Sequence, residues 1–128
     1  MTDAVFLLDT NVVIYALKDA SSQAVLRIQE RAEGEVITSS IVLAEVLRGI
    51  DPADAGAMAH VQAFFEVVPV LAFDVEAART YQAIPFRRGT FDRLIAAHAL
   101  SLRLILVTNN ERDFADIDGL TVENWTVA

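Results

Sequence analysis

The sequence predicts an α/β fold, a three-layer α/β/α sandwich whose central sheet is mostly parallel. Short apolar runs typical of buried strands alternate with segments in which apolar residues recur at helical spacing. Strands that are joined through helices lie parallel, because such connections cross over in a right-handed sense. The run at residues 104–108 is almost wholly apolar, which places it inside the sheet rather than at its edge.

Each element follows from its local pattern and from the residues that flank it. The predicted strands are residues 6–8, 35–39, 67–71, 104–108 and 121–125. The predicted helices are residues 12–17, 23–32, 41–48, 53–66, 75–83 and 91–100. Side-chain caps are expected at Ser39 or Ser40, Asp74 and Thr90. Pro52 favours a first helical turn, and Pro69 makes its strand short or places it at a sheet edge.

The composition is that of a folded, water-soluble domain. Hydrophobic residues make up 54% of the 128 residues, which suits a single domain spanning residues 1–128. No apolar run approaches the roughly 18 consecutive residues that a membrane-spanning helix needs, and no basic segment precedes a cleavable apolar one. The absence of cysteine excludes disulfides and thiolate metal sites. We therefore expect a cytoplasmic protein that does not associate with membranes.

The charge distribution leaves room for a nucleic acid partner. The formal net charge is -8, from 10 basic and 18 acidic residues, which by itself argues against a polyanion. Local placement can reverse that argument: Arg87, Arg88 and Arg93 are close in sequence, and Arg48 and Arg112 each lie near an acid of interest. Binding through them would be salt-sensitive. Alternatively, these arginines are solvated or pair with nearby acids, as surface arginines commonly do.

Four acidic residues occupy comparable places in the predicted fold. Asp9, Glu45, Asp92 and Asp113 are far apart in the sequence, but each lies at a strand end or in a helix that follows one. Parallel strands bring such points to one edge of the sheet, where ligands of α/β proteins bind. Three of these acids also have a structural alternative: Asp9 can serve only as a helix cap, Glu45 can pair with Arg48, and Asp92 can interact with the helix dipole.

The four acids together predict a cation site. Carboxylates gathered at one edge repel one another, which raises their pKa values and destabilises the arrangement unless a cation is present. Mg²⁺ and Mn²⁺ suit such a site, because they are hard ions that take oxygen ligands. The histidines are not expected to take part: we expect His60 at the surface, and His98 packed and hydrogen-bonded among small apolar residues.

A family resemblance rests on four segments. They are LDTN at residues 8–11, AEVLRG at 44–49, FDRLIAAHA at 91–99 and VTNNERDF at 107–114. In this order and at this spacing they resemble the PIN-domain ribonucleases of the VapC toxin type, along nearly the whole chain. The stretch between Tyr81 and Thr90 is shorter than in many relatives, so we expect a reduced loop or helical extension there.

The resemblance implies an activity and partners. It implies an endoribonuclease that depends on Mg²⁺ or Mn²⁺ and acts on structured RNA, with tRNA a frequent target, so that translation and growth are inhibited. It also implies a homodimer and a VapB-type antitoxin encoded beside the toxin.

The resemblance also assigns roles to residues of this chain. The catalytic and metal-binding acids are Asp9, Glu45, Asp92 and Asp113, and the supporting polar residues are Asn11, Thr108 and Asn110. The fourth acidic position varies in the family, so Asn110 or Glu111 remains an alternative to Asp113. The residues expected to hold RNA phosphates are Arg48, Arg93 and Arg112.

Other classes of protein fit the sequence less well. A non-catalytic PIN-like module that binds RNA or protein is the main alternative, although such a module would be expected to have lost an acid. A Mg²⁺-dependent phosphatase also places an aspartate after its first strand, but it generally needs a lysine near a later strand, and the only lysine here is Lys18. No glycine-rich phosphate loop supports a nucleotide-binding enzyme.

Overall fold

The computed structural model describes residues 3–88 and 90–127, so residue 89 of the predicted loop and the ends of the predicted domain lie outside it. The strands are β1 (Phe6–Leu8), β2 (Val36–Ser39), β3 (Val70–Leu71), β4 (Ile105–Val107) and β5 (Val122–Glu123). The helices are α1 (Thr10–Lys18), α2 (Gln23–Gln29), α3 (Ser40–Arg48), α4 (Ala55–Val67), α5 (Val75–Gln82) and α6 (Asp92–Ser101). A 3-10 helix, Glu111–Phe114, follows β4. The predicted elements are therefore present, with their ends shifted by a few residues.

The strands form one parallel sheet in the order β3-β2-β1-β4-β5. Leu7 in the middle strand β1 lies opposite Ile37 of β2 on one side and Leu106 of β4 on the other. β4 is flanked by β1 and β5, which confirms its predicted interior position. β3 follows Pro69 and lies at an edge, also as predicted. Because all strands run in one direction, their carboxyl ends meet at one edge of the sheet.

Helices cover both faces of this sheet. Phe6, Leu7 and Leu8 are 4%, 0% and 0% exposed, although neighbouring side chains of a strand point to opposite faces. The buried layers on both sides confirm the three-layer α/β/α sandwich. Trp125 is fully buried, and its ring centroid lies 4.8 Å from that of Phe6. This aromatic contact packs the segment after β5 against the start of β1.

The start of α4 differs from the prediction. Asp54 caps this helix by accepting a hydrogen bond from the Ala57 amide, and Asp51 accepts one from the Ala53 amide in the turn before it. Pro52 therefore lies in a turn instead of the first helical turn. With 13 residues, α4 is the longest helix, and no helix of the described ranges is long and apolar enough to cross a membrane.

The segment that leads into α6 also differs from the prediction. α6 begins at Asp92 without a side-chain cap, so the predicted cap at Thr90 is wrong. The described residues between α5 and α6 contain no helix, in agreement with the expected reduction of this stretch. The polar loop predicted after β4 contains the 3-10 helix, which holds Asp113 in a defined backbone conformation.

His98 joins α6 to the sheet. It is 1% exposed, and its Nδ1 lies 2.8 Å from the Ser39 hydroxyl. That hydroxyl also caps α3 by accepting from the Ile41 amide, and the ring of Phe73 packs edge-on at 5.6 Å between centroids. Burial lowers the pKa of His98, which favours the neutral ring. The expectation of a packed, hydrogen-bonded histidine is confirmed.

We expect Ser39→Ala to lower the free energy of unfolding by about 2 kcal/mol. The change removes a helix cap, worth about 1 kcal/mol, and leaves a buried ring nitrogen of His98 without its partner, which costs about 1–3 kcal/mol. Urea denaturation at neutral pH measures the loss. Ser21→Ala, which removes an exposed hydroxyl bonded to Asp19, is the control and should cost less than about 0.5 kcal/mol. Equal losses in both variants would contradict this role of Ser39.

Candidate active site

Asp9 lies at the carboxyl end of the central strand. It follows β1 directly and caps α1, since its carboxylate accepts a hydrogen bond of 3.0 Å from the Val12 amide. The side chain is only 3% exposed. Asp9 therefore does cap a helix, and the same position places its carboxylate where the ligand crevice of a parallel sheet is expected.

Glu45 is brought to the same edge by the packing of α3 against α1. The Thr10 hydroxyl donates a hydrogen bond of 2.6 Å to Oε1 of Glu45. Thr10 follows Asp9 in the chain, so this bond ties Glu45 to the end of β1. In the described part of the chain Glu45 forms no ion pair with Arg48, and the structural alternative for Glu45 is not observed.

Asp92 and Asp113 complete the group of four acids. Asp92 is the first residue of α6, and Asp113 lies in the 3-10 helix after β4. The Asn110 side-chain amide donates to the Asp113 carboxylate, and the Asn110 backbone amide donates to the Thr108 hydroxyl at 3.1 Å. The Thr108 side chain in turn lies close enough to Asp9 to lower the pKa of its carboxyl group. Thr108 and Asn110 thus connect two of the acids.

The pKa values show that these acids act on one another. The pKa of Asp9 is raised to about 6, chiefly by burial and also by the charges of Asp92 and Glu45, against the lowering effect of the hydrogen bonds from Thr108 and Val12. The pKa of Asp92 is raised by burial and then by the charges of Glu45 and Asp113. Negative charges that destabilise one another in this way favour a bound cation.

The carboxylate oxygens of this site suit a hard divalent ion that is bound by only one or two of the acids. Within residues 3–88 and 90–127, no three acidic or histidine side chains converge tightly enough to form a ready-made metal cluster. Mg²⁺ does not require such a cluster, because it keeps several waters and is usually held by one or two carboxylates together with substrate phosphate. The carboxylates supply oxygen ligands of the type that Mg²⁺ and Mn²⁺ prefer.

The other candidates for the site lie at its rim. Asn11 is exposed in the first turn of α1, and Asn110 and Glu111 are exposed at the start of the 3-10 helix. Asp113, unlike Glu111, is among the charges that raise the pKa of Asp92. This favours Asp113 for the fourth acidic position, which stays a prediction, as do the roles of Asn11 and Asn110.

Arg93 differs from its predicted role. It is 2% exposed, and its Nη2 donates hydrogen bonds of 2.8 Å to the Asp113 carbonyl oxygen and to Oδ1 of Asp116. A guanidinium enclosed in this way does not face solvent, so the expectation that Arg93 holds an RNA phosphate is wrong for this conformation. Sequence reasoning missed Asp116, because no local pattern indicates a partner 23 residues away.

The other four arginines that the sequence analysis singled out are at the surface. Arg48, Arg87, Arg88 and Arg112 are exposed, and Arg87 lies 3.6 Å from Asp116, too far for a strong hydrogen bond. Because Arg48 and Arg112 are exposed, RNA phosphates can reach them, and their predicted phosphate contacts stay predictions.

Comparison with known proteins agrees with this fold and site. The PIN domain profile matches residues 6–120. The chain is 33% identical to the tRNA(fMet)-specific endonuclease VapC of Shigella flexneri, over 94% of this chain and 98% of that protein. It is 35% identical to the Salmonella typhimurium protein of the same name, over 94% and 97%.

Solved structures of toxin–antitoxin complexes show the same fold. DNA-bound VapBC from Salmonella typhimurium superposes with a TM-score of 0.85 at 32% identity, covering 95% of this chain and 98% of that one. VapBC2 from Rickettsia felis, bound to a DNA fragment from its promoter, gives 0.84 at 27% identity, covering 94% and 98%. The chain therefore belongs to the PIN-domain family and, within it, to the VapC ribonucleases.

Proposed function

We propose that this protein is the toxin of a toxin–antitoxin pair, an endoribonuclease that requires Mg²⁺ or Mn²⁺ and cleaves structured RNA, with tRNA the favoured class. The observation that carries the proposal is the buried Asp9 carboxylate, whose pKa is raised to about 6 beside the charges of Asp92 and Glu45. The names of relatives at 33% and 35% identity support RNA, and tRNA in particular, as the substrate. The reaction would take place in the cytoplasm, where it would inhibit translation and growth.

The carboxylates have distinct tasks in this proposal. Asp9, Glu45, Asp92 and Asp113 would hold the ion, which when bound supplies positive charge to the scissile phosphate and makes its bound water more acidic. Carboxylate oxygens of these acids that the ion leaves free would orient the attacking water and accept its proton. The hydroxyl adds to phosphorus, the bond to the 3′ oxygen breaks, and that oxygen takes up a proton. The products carry a 5′-phosphate and a 3′-hydroxyl.

Exposed cationic and aromatic side chains beside the acids would hold the RNA. Arg48, Arg87 and Arg112 are exposed near the acids and can contact phosphates. Phe86 and Phe91 are 70% and 55% exposed on either side of the basic stretch before α6. Unpaired bases stack on such rings without sequence preference, so this surface suits a structured RNA with an unpaired loop.

A VapB-type antitoxin is the proposed partner. The related solved structures are VapBC complexes. In this chain, a cavity of about 360 Å³ between α1, α3 and α4 is lined by Ile14, Leu17 and Val46 and reaches Glu45. An apolar antitoxin segment in this cavity can carry an arginine to the acids, where a bidentate ion pair would displace the cation. We also propose that the toxin forms a homodimer.

Metal-dependent cleavage of tRNA tests the proposal. We expect purified protein, freed of antitoxin by denaturation and refolding, to give discrete tRNA fragments with Mg²⁺ or Mn²⁺ and none with EDTA. Excess Mg²⁺ should restore the activity, and an exonuclease specific for 5′-phosphates should degrade the downstream fragments. Equal cleavage in EDTA would contradict the metal requirement. Binding of tRNA without cleavage under any metal would favour the alternative, a non-catalytic RNA-binding module.

A further inference from the structure

A buried arginine lies between the two elements that carry Asp92 and Asp113. Arg93 follows Asp92 in α6, and its guanidinium contacts the Asp113 carbonyl oxygen in the 3-10 helix and the carboxylate of Asp116, which lies just after that helix. Removing a guanidinium from water costs several kcal/mol unless good hydrogen bonds compensate. A residue with only 2% exposure therefore needs these two contacts.

Arg93 holds the backbone of Asp113, because its guanidinium donates a hydrogen bond to the Asp113 carbonyl oxygen. The Asp113 carboxylate is held separately by the Asn110 amide, so both the main chain and the side chain of this acid are fixed. The 3-10 helix has only 4 residues, and so short an element has little rigidity of its own. Its position relative to α6 therefore depends on side chains that link the two elements.

Among the residues that the structure describes, the Arg93 guanidinium forms no ion pair with the acids of the site. Its ion pair in the described part of the chain is with Asp116, whose side chain is 38% exposed, and its Nη1 has no hydrogen-bond partner there. The guanidinium thus contacts Asp113 only through the carbonyl oxygen. The carboxylates of Asp92 and Asp113 remain available to a cation.

We propose that Arg93 is a positioning residue that, anchored by Asp116, fixes the 3-10 helix against α6 and thereby sets the separation of the Asp92 and Asp113 carboxylates for the metal ion. This inference rests on the proposed function, since it assumes that these acids bind the ion. Residues that orient metal ligands typically change metal affinity about 10–100-fold when they are replaced.

Metal affinity distinguishes positioning from a purely structural role. We expect Arg93→Met, which keeps the length and apolar stem of the side chain, to weaken Mn²⁺ binding by about 10–100-fold. Asp116→Asn should weaken it less, because the amide retains one acceptor for the guanidinium. Bound and free Mn²⁺ are counted by electron paramagnetic resonance on the folded protein, with circular dichroism to confirm folding. Arg79→Met, in the exposed helical pair of Arg79 and Glu76, is the control and should bind Mn²⁺ as the wild type does.

The possible outcomes distinguish a failure of the positioning role of Arg93 from a failure of the proposed function. If the wild type binds Mn²⁺ and folded Arg93→Met binds it equally well, the positioning role is overturned while the proposed nuclease stands. If Arg93→Met does not fold, Asp116→Asn decides, and unchanged Mn²⁺ affinity in that variant overturns the inference. If the wild type neither binds Mn²⁺ nor cleaves RNA, the proposed function fails and the inference fails with it.

Discussion

Asp92→Asn is expected to cleave RNA at least about 100-fold more slowly than the wild type at saturating Mg²⁺. The amide keeps the shape of the side chain but loses its charge and an oxygen ligand. Stabilisation of a phosphoryl group by a metal ion is worth several kcal/mol, and about 1.4 kcal/mol corresponds to a tenfold change in rate. Initial rates on a labelled tRNA, measured across a range of Mg²⁺ concentrations, give the loss.

The fold should tolerate this change. Burial and the charges of Glu45 and Asp113 raise the pKa of Asp92, so the neutral amide removes a repulsion that the folded state carries. That gain offsets the loss of a favourable interaction with the α6 dipole, about 0.3–1 kcal/mol. Asp19→Asn, an exposed aspartate at the far end of α1 from Asp9, is the control and should retain the wild-type rate. A fully active Asp92→Asn would remove Asp92 from the catalytic group.

The layers of the fold were predictable because the strands are buried on both faces. A strand with both faces covered must be apolar throughout, as β1 and β4 are, and such runs stand out in a sequence. The boundaries were less predictable. Thr90 has a residue type that favours capping, yet α6 begins after Phe91 without a side-chain cap. Local preference is weak compared with the packing of a buried helix.

The candidate site, like the fold, was predictable only in part. Asp9, Glu45, Asp92 and Asp113 were predictable as a group, because parallel topology brings strand ends together whatever the loops between them do. Their hydrogen bonds were not, since the bond from Thr10 to Glu45 spans 35 positions. The burial of Arg93 likewise depends on an acceptor in another element. Residue type indicates the chemistry that is available, whereas long-range contacts decide which side chains are free to perform it.

Asp9→Asn is expected to stabilise the metal-free protein by up to about 3 kcal/mol well above pH 6. The pKa of Asp9 is raised from 3.8 to about 6, and each unit corresponds to about 1.4 kcal/mol. Because the folded state favours the protonated acid, the stability that Asp9 contributes is fully present below pH 3.8 and is lost as the pH rises through 6. Asparagine can still accept the hydrogen bond from the Val12 amide, so the cap of α1 is kept.

Urea denaturation in EDTA between pH 4 and 8, repeated with Mg²⁺, measures this difference. The advantage of Asp9→Asn should shrink towards the acidic end, where the wild-type carboxyl is protonated. Mg²⁺ should also reduce or reverse it, because an ion that binds only the folded wild type stabilises that form. Asp54→Asn alters an exposed aspartate that caps α4 in the same way and should show neither effect. A metal-free Asp9→Asn that is less stable than the wild type at high pH would mean that the folded protein stabilises this carboxylate, and the acids would then not need a cation to lie together.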